Sequence, residues 1–193
     1  MKQFRLLFVL IIIIFNKSLA NISQAGFENF PNHYFVATGL FANSLDFAIR
    51  AKFPEIHVIM SDELTVTNTR NKFIQNNNVN IWYADSSVLL GYIISKMDKA
   101  ITFWLDGGNG AQPNIKNNPI LEELEYIKNH PIKTHTILID DMHVVGTLYF
   151  DYITKEQIIE KILEINPDYT ITYIDGGNEG EFKNNIMVAY INN

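Results

Sequence analysis

Cysteine is absent from the 193-residue chain, and charged side chains make up only 19% of it. The absence of cysteine excludes disulfides, zinc–thiolate centres and cysteine nucleophiles. The chain also lacks a cluster of Lys and Arg, and its net charge of −6 argues against a nucleic-acid or anionic-membrane surface. Hydrophobic residues nevertheless make up 47% of the sequence, which indicates a globular protein. The length predicts one domain with a substantial core.

The N-terminal segment has the pattern of a signal peptide. Lys2 and Arg5 precede the apolar run Leu6–Phe15, and small residues suited to cleavage follow it. A helix of this length spans only about half of a bilayer core. We therefore predict a cleaved signal peptide over 1–20 and an exported domain over 21–193, with no stable membrane span after cleavage. An uncleaved anchor with the domain facing outward is the alternative.

Two short apolar runs end abruptly in aspartate. The run 101–105 is followed by Asp106, and the run 136–139 is followed by Asp140 and Asp141. Apolar runs without charge are typical of strands covered on both faces, as in parallel α/β sheets. Ligands of open α/β sheets bind at the carboxyl ends of the strands. The three aspartates are therefore predicted to form an acidic rim at one sheet edge.

The remaining pattern alternates strands and helices and ends in a hairpin. Gly and Asn between the last two apolar runs are a hairpin signal. The predicted fold class is α/β, a doubly wound, mostly parallel sheet with helices on both faces and a C-terminal antiparallel hairpin strand. The predicted strands are 34–37, 55–60, 79–83, 101–105, 136–139, 169–174 and 186–191. The predicted helices begin at Asn43 or Ser44, at Ser61 or Asp62, after Asp85, at Pro119 and at Thr154.

This order resembles the Rossmann-like fold of the class I S-adenosylmethionine-dependent methyltransferases. The segment Phe35–Gly39 followed by Asn43-Ser44 is similar to the first glycine motif of that family, and Asp85-Ser86 is similar to its adenine-side acid. The resemblance spans Tyr34 to Asn193. Segments that are similar to one branch of small methyltransferase-like proteins are 104–106, 119–125, 130–133 and 139–141. The resemblance implies an S-adenosylmethionine pocket formed by Thr38, Gly39, Asn43, Ser44, Asp62, Asp85 and Ser86.

Two positions depart from the family pattern. Ala37 stands where the family usually has an acid near the methionine end of the cofactor, and Met60 stands where it has an acid for the ribose hydroxyls. Asp62, two residues further on, could replace that acid only if the loop bends back. Because a bidentate carboxylate–diol contact is charge-assisted, these departures predict a weakened cofactor site.

The acidic rim resembles the metal site of cation-dependent O-methyltransferases. Asp106, Asp140 and Asp141 would supply oxygen ligands for a divalent cation such as Mg²⁺, which would polarise a substrate hydroxyl. The alternative is that Asp140 and Asp141 cap backbone amides at the strand end. His143 is the predicted general base, alongside Asp106 and Asp140 as catalytic residues. Alternatively, His143 is a surface or hydrogen-bonded residue without a catalytic role.

Two main functions remain open on the sequence, beside a third in which the aspartate rim is a divalent-cation or sugar site without methyl transfer. The first is a methyltransferase-like enzyme acting on an unknown small hydroxyl or carboxyl acceptor, with or without the assistance of a divalent cation. The second is an exported, non-catalytic binding or interaction module with a degenerate methyltransferase fold. Ala37 and Met60 favour the second function, because they weaken the predicted cofactor site. The signal peptide also favours it, because S-adenosylmethionine is made in the cytosol and an exported enzyme would need a supply of it. Both predict a small-molecule ligand or partner and no nucleic acid, and neither sets the oligomeric state.

Overall fold

The computed structural model describes residues 29–39, 45–106, 118–176 and 182–192. The predicted signal peptide over 1–20 lies outside these ranges and stays a prediction, as do the predicted contacts of Asn43 and Ser44. Within the described ranges, no helix has the length and apolar character needed to cross a bilayer.

The described strands form one seven-stranded mixed sheet with the order β3-β2-β1-β4-β5-β7-β6. The first five strands are parallel to one another, whereas β7 runs antiparallel to both β5 and β6. The strands are β1 (Tyr34–Thr38), β2 (Glu55–Met60), β3 (Val79–Tyr83), β4 (Ile101–Leu105), β5 (Thr136–Ile139), β6 (Thr170–Gly176) and β7 (Phe182–Tyr190). This architecture confirms the predicted fold class.

The helices of the described ranges cover both faces of the sheet. They are α1 (Leu45–Arg50), α2 (Glu63–Lys72), α3 (Ser86–Ile94), α4 (Ile120–Asn129) and α5 (Lys155–Ile165), with a short 3₁₀ turn at Leu148–Phe150. Apolar residues of α1 and α2 pack with Phe35 and Val58 in one core. Apolar residues of α3, α4 and α5 pack with Val36, Phe103 and Ile137 in the other. Because successive strand residues point to opposite faces, each central strand contributes to both cores.

The burial of each strand follows its place in the sheet. All residues of β4 and β5 are buried, whereas those of the edge strand β3 are half-buried or exposed. This is why β4 and β5 are continuous apolar runs and β3 alternates. The capping box predicted at Thr154 and Gln157 is confirmed at the start of α5.

The C-terminal hairpin extends further than its apolar pattern predicts. The predicted strand 186–191 is β7 in the structure and begins at Phe182, four residues earlier than expected. Three of the four added residues are polar, and two of them contact the side chain of Asp175: Lys183 Nζ lies 2.6 Å from Asp175 Oδ2, and the Asn184 backbone N–H donates to Asp175 Oδ1. Hydrophobic periodicity does not report such contacts.

Candidate functional site

The turn after β1 approaches the backbone at the end of β4 closely. Gly39 has a φ of +82°, and a Cβ atom on it would lie 2.4 Å from the carbonyl oxygen of Asp106. Its N–H donates to the Ile59 carbonyl at 3.1 Å. Only glycine tolerates both this conformation and this distance. The turn therefore brings the ends of β1 and β4 together at the point where the connecting helices change face, which is where open α/β sheets bind ligands.

A buried polar cluster formed by Thr38, Ser86 and Glu123 lies beside this turn. We call it the buried carboxyl cluster. Thr38 ends β1, Ser86 begins α3, and Glu123 lies in the first turn of α4. The Thr38 hydroxyl and both carboxyl oxygens of Glu123 are buried, and among the described residues none of them makes a hydrogen bond of standard geometry. The hydroxyls of Ser86 and Thr38 lie close enough to Glu123 to act on its pKa. Such orphaned acceptors are rare in native proteins, and each calls for an explanation, of which a functional role is one.

Burial dominates the electrostatics of this cluster. It raises the pKa of Glu123 to about 7, and the nearby hydroxyls of Ser86 and Thr38 oppose that shift only in part. The carboxylates of Asp85 and Glu122 push the pKa in the same direction as burial. A carboxyl with this pKa changes its charge near neutral pH. Groups of this kind cluster at functional sites.

Glu123 was not predicted as a site residue, because acids in a first helical turn are explained by the helix dipole. A stronger signal was present in its spacing. Ile120, Glu123, Leu124 and Ile127 occupy the positions i, i+3, i+4 and i+7, which is the buried stripe of an amphipathic helix. An acid on that stripe must be buried, as the structure shows.

Asp62 and Asp85, both predicted to contact the cofactor, are helix N-caps in the structure. Asp62 Oδ1 accepts from the Thr65 N–H at 2.7 Å, and the side chain and backbone of Thr65 together lower the pKa of the carboxyl. Asp85 Oδ1 accepts from the Ser87 N–H at 2.9 Å and from the Ser87 hydroxyl at 2.7 Å. The structural role is thus shown for both residues, and a cofactor contact stays a prediction.

The two positions where the family pattern has acids face the protein interior. Ala37 and Met60 are 0% and 1% exposed and belong to the core on the side of α1 and α2. A carboxylate at either position would be a buried charge, which is costly without a partner. The buried carboxyl of this edge comes instead from α4.

The second polar group of the edge lies at the end of β5. The Asp140 N–H donates to the Leu105 carbonyl at 3.0 Å, which ties this turn to β4. Asp140 Oδ1 accepts from the Asp141 N–H at 2.7 Å and from Asn185 Nδ2 at 3.0 Å. Burial raises the pKa of Asp140 to about 6. The predicted capping of a strand-end amide is therefore confirmed for Asp140.

His143 joins this group through Asn185 of β7. Its backbone N–H donates to Asn185 Oδ1 at 3.2 Å, and its Nδ1 lies 2.5 Å from the same oxygen. The imidazole stacks on Phe182 with a centroid distance of 4.4 Å and an interplanar angle of 18°. Asn185 was not predicted as a site residue, since a single polar residue before an apolar run carries no periodic signal.

The predicted metal site receives no support from the structure. The described ranges contain Asp106, Asp140 and Asp141, and within those ranges no three carboxylate or imidazole groups come together in a way that could hold a metal ion. Asp106 and Asp140 do lie at adjacent strand ends. The cation therefore stays a prediction.

Three other histidines make hydrogen bonds within the fold. His57 bonds to Trp82 and Glu55 within the sheet. His130 and His135 contact each other near the opposite ends of β4 and β5, and His135 Nδ1 accepts from the Ile101 N–H at 3.1 Å. Burial lowers the pKa of His135 to about 3, so this residue stays neutral.

The sequence matches no protein-family model and no curated protein. Solved structures do match in fold. A methyltransferase from Podospora anserina with bound S-adenosylhomocysteine is 8% identical, with a TM-score of 0.54 over 84% of this chain and 73% of that one. An rRNA methylase from Streptococcus thermophilus is 15% identical, with a TM-score of 0.52 over 86% and 93% of the two chains.

A TehB-like, S-adenosylmethionine-dependent methyltransferase from Corynebacterium glutamicum is 10% identical, with a TM-score of 0.53 over 83% of this chain and 80% of that one. Identities this low carry the fold and nothing further. The fold that this chain shares with these proteins is that of the class I S-adenosylmethionine-dependent methyltransferases.

Proposed function

We propose that this chain binds S-adenosylmethionine at the carboxyl edge between β1 and β4 and transfers its methyl group to a small acceptor. The observation that carries the proposal is the buried carboxyl cluster beside the Gly39 turn, at the switch point of a methyltransferase fold. A structural neighbour with this fold holds S-adenosylhomocysteine, which supports the choice of cofactor.

The residues present fit the polar groups of this cofactor. S-adenosylmethionine carries an ammonium group, which donates hydrogen bonds, and the orphaned oxygens of Glu123 and Thr38 are acceptors. A carboxylate–ammonium contact would also compensate the cost of burying Glu123 in its charged form. The bare backbone of Gly39 allows a ligand to approach the strand end. Asp62 and Asp85, at the ends of the loops after β2 and β3, would face the adenosine part.

The neighbouring strand ends would supply the reaction edge. When bound, S-adenosylmethionine supplies an electrophilic methyl group. Asp140 and His143 lie at the end of β5, beside the end of β4. We assign to His143 the removal of a proton from a hydroxyl acceptor, since an imidazole is suited to proton transfer near neutral pH. A divalent cation bound by Asp106, Asp140 and Asp141 would polarise the acceptor hydroxyl in addition, and titration with and without Mg²⁺ tests this.

Calorimetric titration of the full chain with S-adenosylhomocysteine tests the proposal. We expect a dissociation constant in the micromolar range. Glu123→Gln should weaken binding by roughly 10-fold or more, because a charged hydrogen bond contributes about 1.5–3 kcal/mol. Glu122→Gln, on the exposed side of the same helical turn, is the matched control and should bind as the parent chain does.

A second ligand separates the amino-acid end from the nucleoside end. 5′-Methylthioadenosine lacks the ammonium group, so Glu123→Gln should leave its affinity unchanged. Repeating the titration with Mg²⁺ shows whether a cation contributes. Absence of binding at millimolar S-adenosylhomocysteine would overturn the enzyme proposal and leave the non-catalytic binding module.

A further inference from the structure

The side-chain amide of Asn185 lies between Asp140 and His143, and its orientation is fixed by what surrounds it. Asn185 Oδ1 receives the backbone N–H of His143 at 3.2 Å, so this atom must be the acceptor. Asn185 Nδ2 then donates to Asp140 Oδ1 at 3.0 Å. The flipped amide would set its NH₂ group against a backbone N–H and its oxygen against a carboxylate, and neither pair can form a hydrogen bond.

This orientation determines which nitrogen of His143 carries the proton. His143 Nδ1 lies 2.5 Å from Asn185 Oδ1, and an amide oxygen only accepts hydrogen bonds. Nδ1 must therefore be protonated, which leaves a lone pair on Nε2 of the neutral ring. The carboxylate of Asp141, 3.8 Å from Nδ1, favours the same arrangement. Among the described residues, no hydrogen bond engages Nε2.

The elements around the imidazole are tied together by hydrogen bonds. Asn185 is 3% exposed, and its backbone carbonyl accepts from the Met142 N–H at 2.8 Å, which joins β7 to the turn that carries His143. Asp140 is anchored to β4 through its own N–H. Phe182 stacks on the ring. The imidazole is thus held by Asn185 and Phe182, while 36% of the His143 side chain is exposed to solvent.

We propose that Asn185 and Asp140 are positioning residues that hold His143 in the Nδ1-protonated tautomer, so that Nε2 is the base for the acceptor. This inference rests on the proposed function and narrows the acceptor to one with a neutral hydroxyl group. An acceptor that is already ionised would not need a base.

The proton and electron pairs balance in this step. As the acceptor O–H bond breaks, its proton moves to His143 Nε2 and the oxygen electron pair forms the bond to the methyl carbon. The bond between that carbon and sulfur breaks, and its electron pair stays on sulfur. The positive charge passes from the sulfonium to the imidazolium, which faces the Asp141 carboxylate.

The tautomer can be measured without cofactor or acceptor. Long-range ¹⁵N–¹H correlation spectra of the full chain with ¹⁵N-labelled histidine distinguish a protonated Nδ1 from a protonated Nε2, and His143→Gln assigns the signal. His57 is an internal reference, since its Nδ1 accepts from Trp82 Nε1 at 3.1 Å and its proton must therefore lie on Nε2. We expect opposite tautomers for His143 and His57 in one spectrum.

Variants at position 185 test the positioning role. Asn185→Leu removes the acceptor at similar volume, and we expect the neutral His143 to lose its preference for the Nδ1–H form while His57 is unchanged. Asn185→Asp keeps an acceptor beside Nδ1 and should retain the tautomer. If Asn185→Leu does not fold, the parent spectrum still shows whether His143 is protonated on Nδ1, as the inference requires.

Each outcome has one meaning. An Nε2-protonated His143 in the parent chain, or a tautomer that Asn185→Leu does not change, overturns the inference even if S-adenosylhomocysteine binds. The expected tautomers in a chain that does not bind S-adenosylhomocysteine overturn the base role together with the proposed function, and confirm only the positioning of the ring.

Discussion

Replacing Gly39 by alanine lowers the free energy of unfolding by about 2–5 kcal/mol, the largest effect that we expect from a single methyl group in this chain. The backbone at Gly39 has a φ of +82°, which costs an L-residue about 1–2 kcal/mol. The added Cβ would also lie 2.4 Å from the Asp106 carbonyl oxygen, and a backbone atom cannot move aside as a flexible side chain can. The ends of β1 and β4 must therefore separate.

Gly146→Ala is the matched control for this experiment. Gly146 has a φ of +85°, nearly the same as that of Gly39, but a Cβ atom on it would meet nothing within 4 Å. This variant should show only the conformational cost, about 1–2 kcal/mol. Urea unfolding of both variants measures the difference. Equal losses would mean that the close approach of the two strand ends contributes nothing.

The same variant connects stability to the proposed site. Because Gly39→Ala alters the switch point itself, we expect it to lose S-adenosylhomocysteine binding, whereas Gly146→Ala keeps it. Retention of full affinity by a folded Gly39→Ala chain would place the ligand elsewhere on the sheet.

The sheet was predictable because its central strands are buried on both faces. β4 and β5 carry no charged side chain, so their ends are marked by the first aspartate, Asp106 and Asp140. The Thr38-Gly39 turn was predictable for a related reason, since a glycine directly after such a strand reports a positive φ or a close approach. Local patterns of this kind need no knowledge of the partner element.

The interior of the site was less predictable, because it depends on pairings distant in the chain. Asn185 lies 42 residues after His143 in the chain, and the two meet only because β7 inserts between β5 and β6. A carboxylate that caps a helix has the same chemistry as one that binds a ribose, so the sequence left both roles open for Asp62 and Asp85. Their hydrogen bonds to Thr65 and Ser87 show the first role.

The burial of Glu123 makes the stability of the chain depend on pH near neutrality. The carboxyl has a pKa of about 7 in the folded chain and an ordinary value of 4.5 otherwise. Between these values the folded state holds a proton that the unfolded state has released, so stability falls as pH rises. The stabilisation is fully present below about pH 4.5 and is lost as pH passes 7. Between pH 5 and pH 8 the loss amounts to roughly 2–3 kcal/mol.

Glu123→Gln removes the ionisable group. The variant should therefore lose roughly 2–3 kcal/mol less of its free energy of unfolding than the parent chain does between pH 5 and pH 8. Urea unfolding at pH 5 and pH 8 measures it, and the difference between parent and variant cancels the contributions of Asp140 and His135. Glu122→Gln should keep most of the parent slope, because Glu122 is exposed and burial, not the charge of Glu122, is the main cause of the raised pKa of Glu123. Parallel pH profiles for the parent chain and Glu123→Gln would show that Glu123 does not ionise differently on folding.

Cofactor binding should lower the pKa of the Glu123 carboxyl, whereas burial raises it. An ammonium group beside Glu123 favours the ionised form, so binding below pH 7 must release the proton that burial retains. The affinity for S-adenosylhomocysteine should therefore fall about 10-fold for each pH unit below 7 and level off above it. Glu123→Gln should show neither the slope nor the higher affinity above pH 7. A pH-independent affinity in the parent chain would place the ammonium group away from Glu123, even though the chain binds the cofactor.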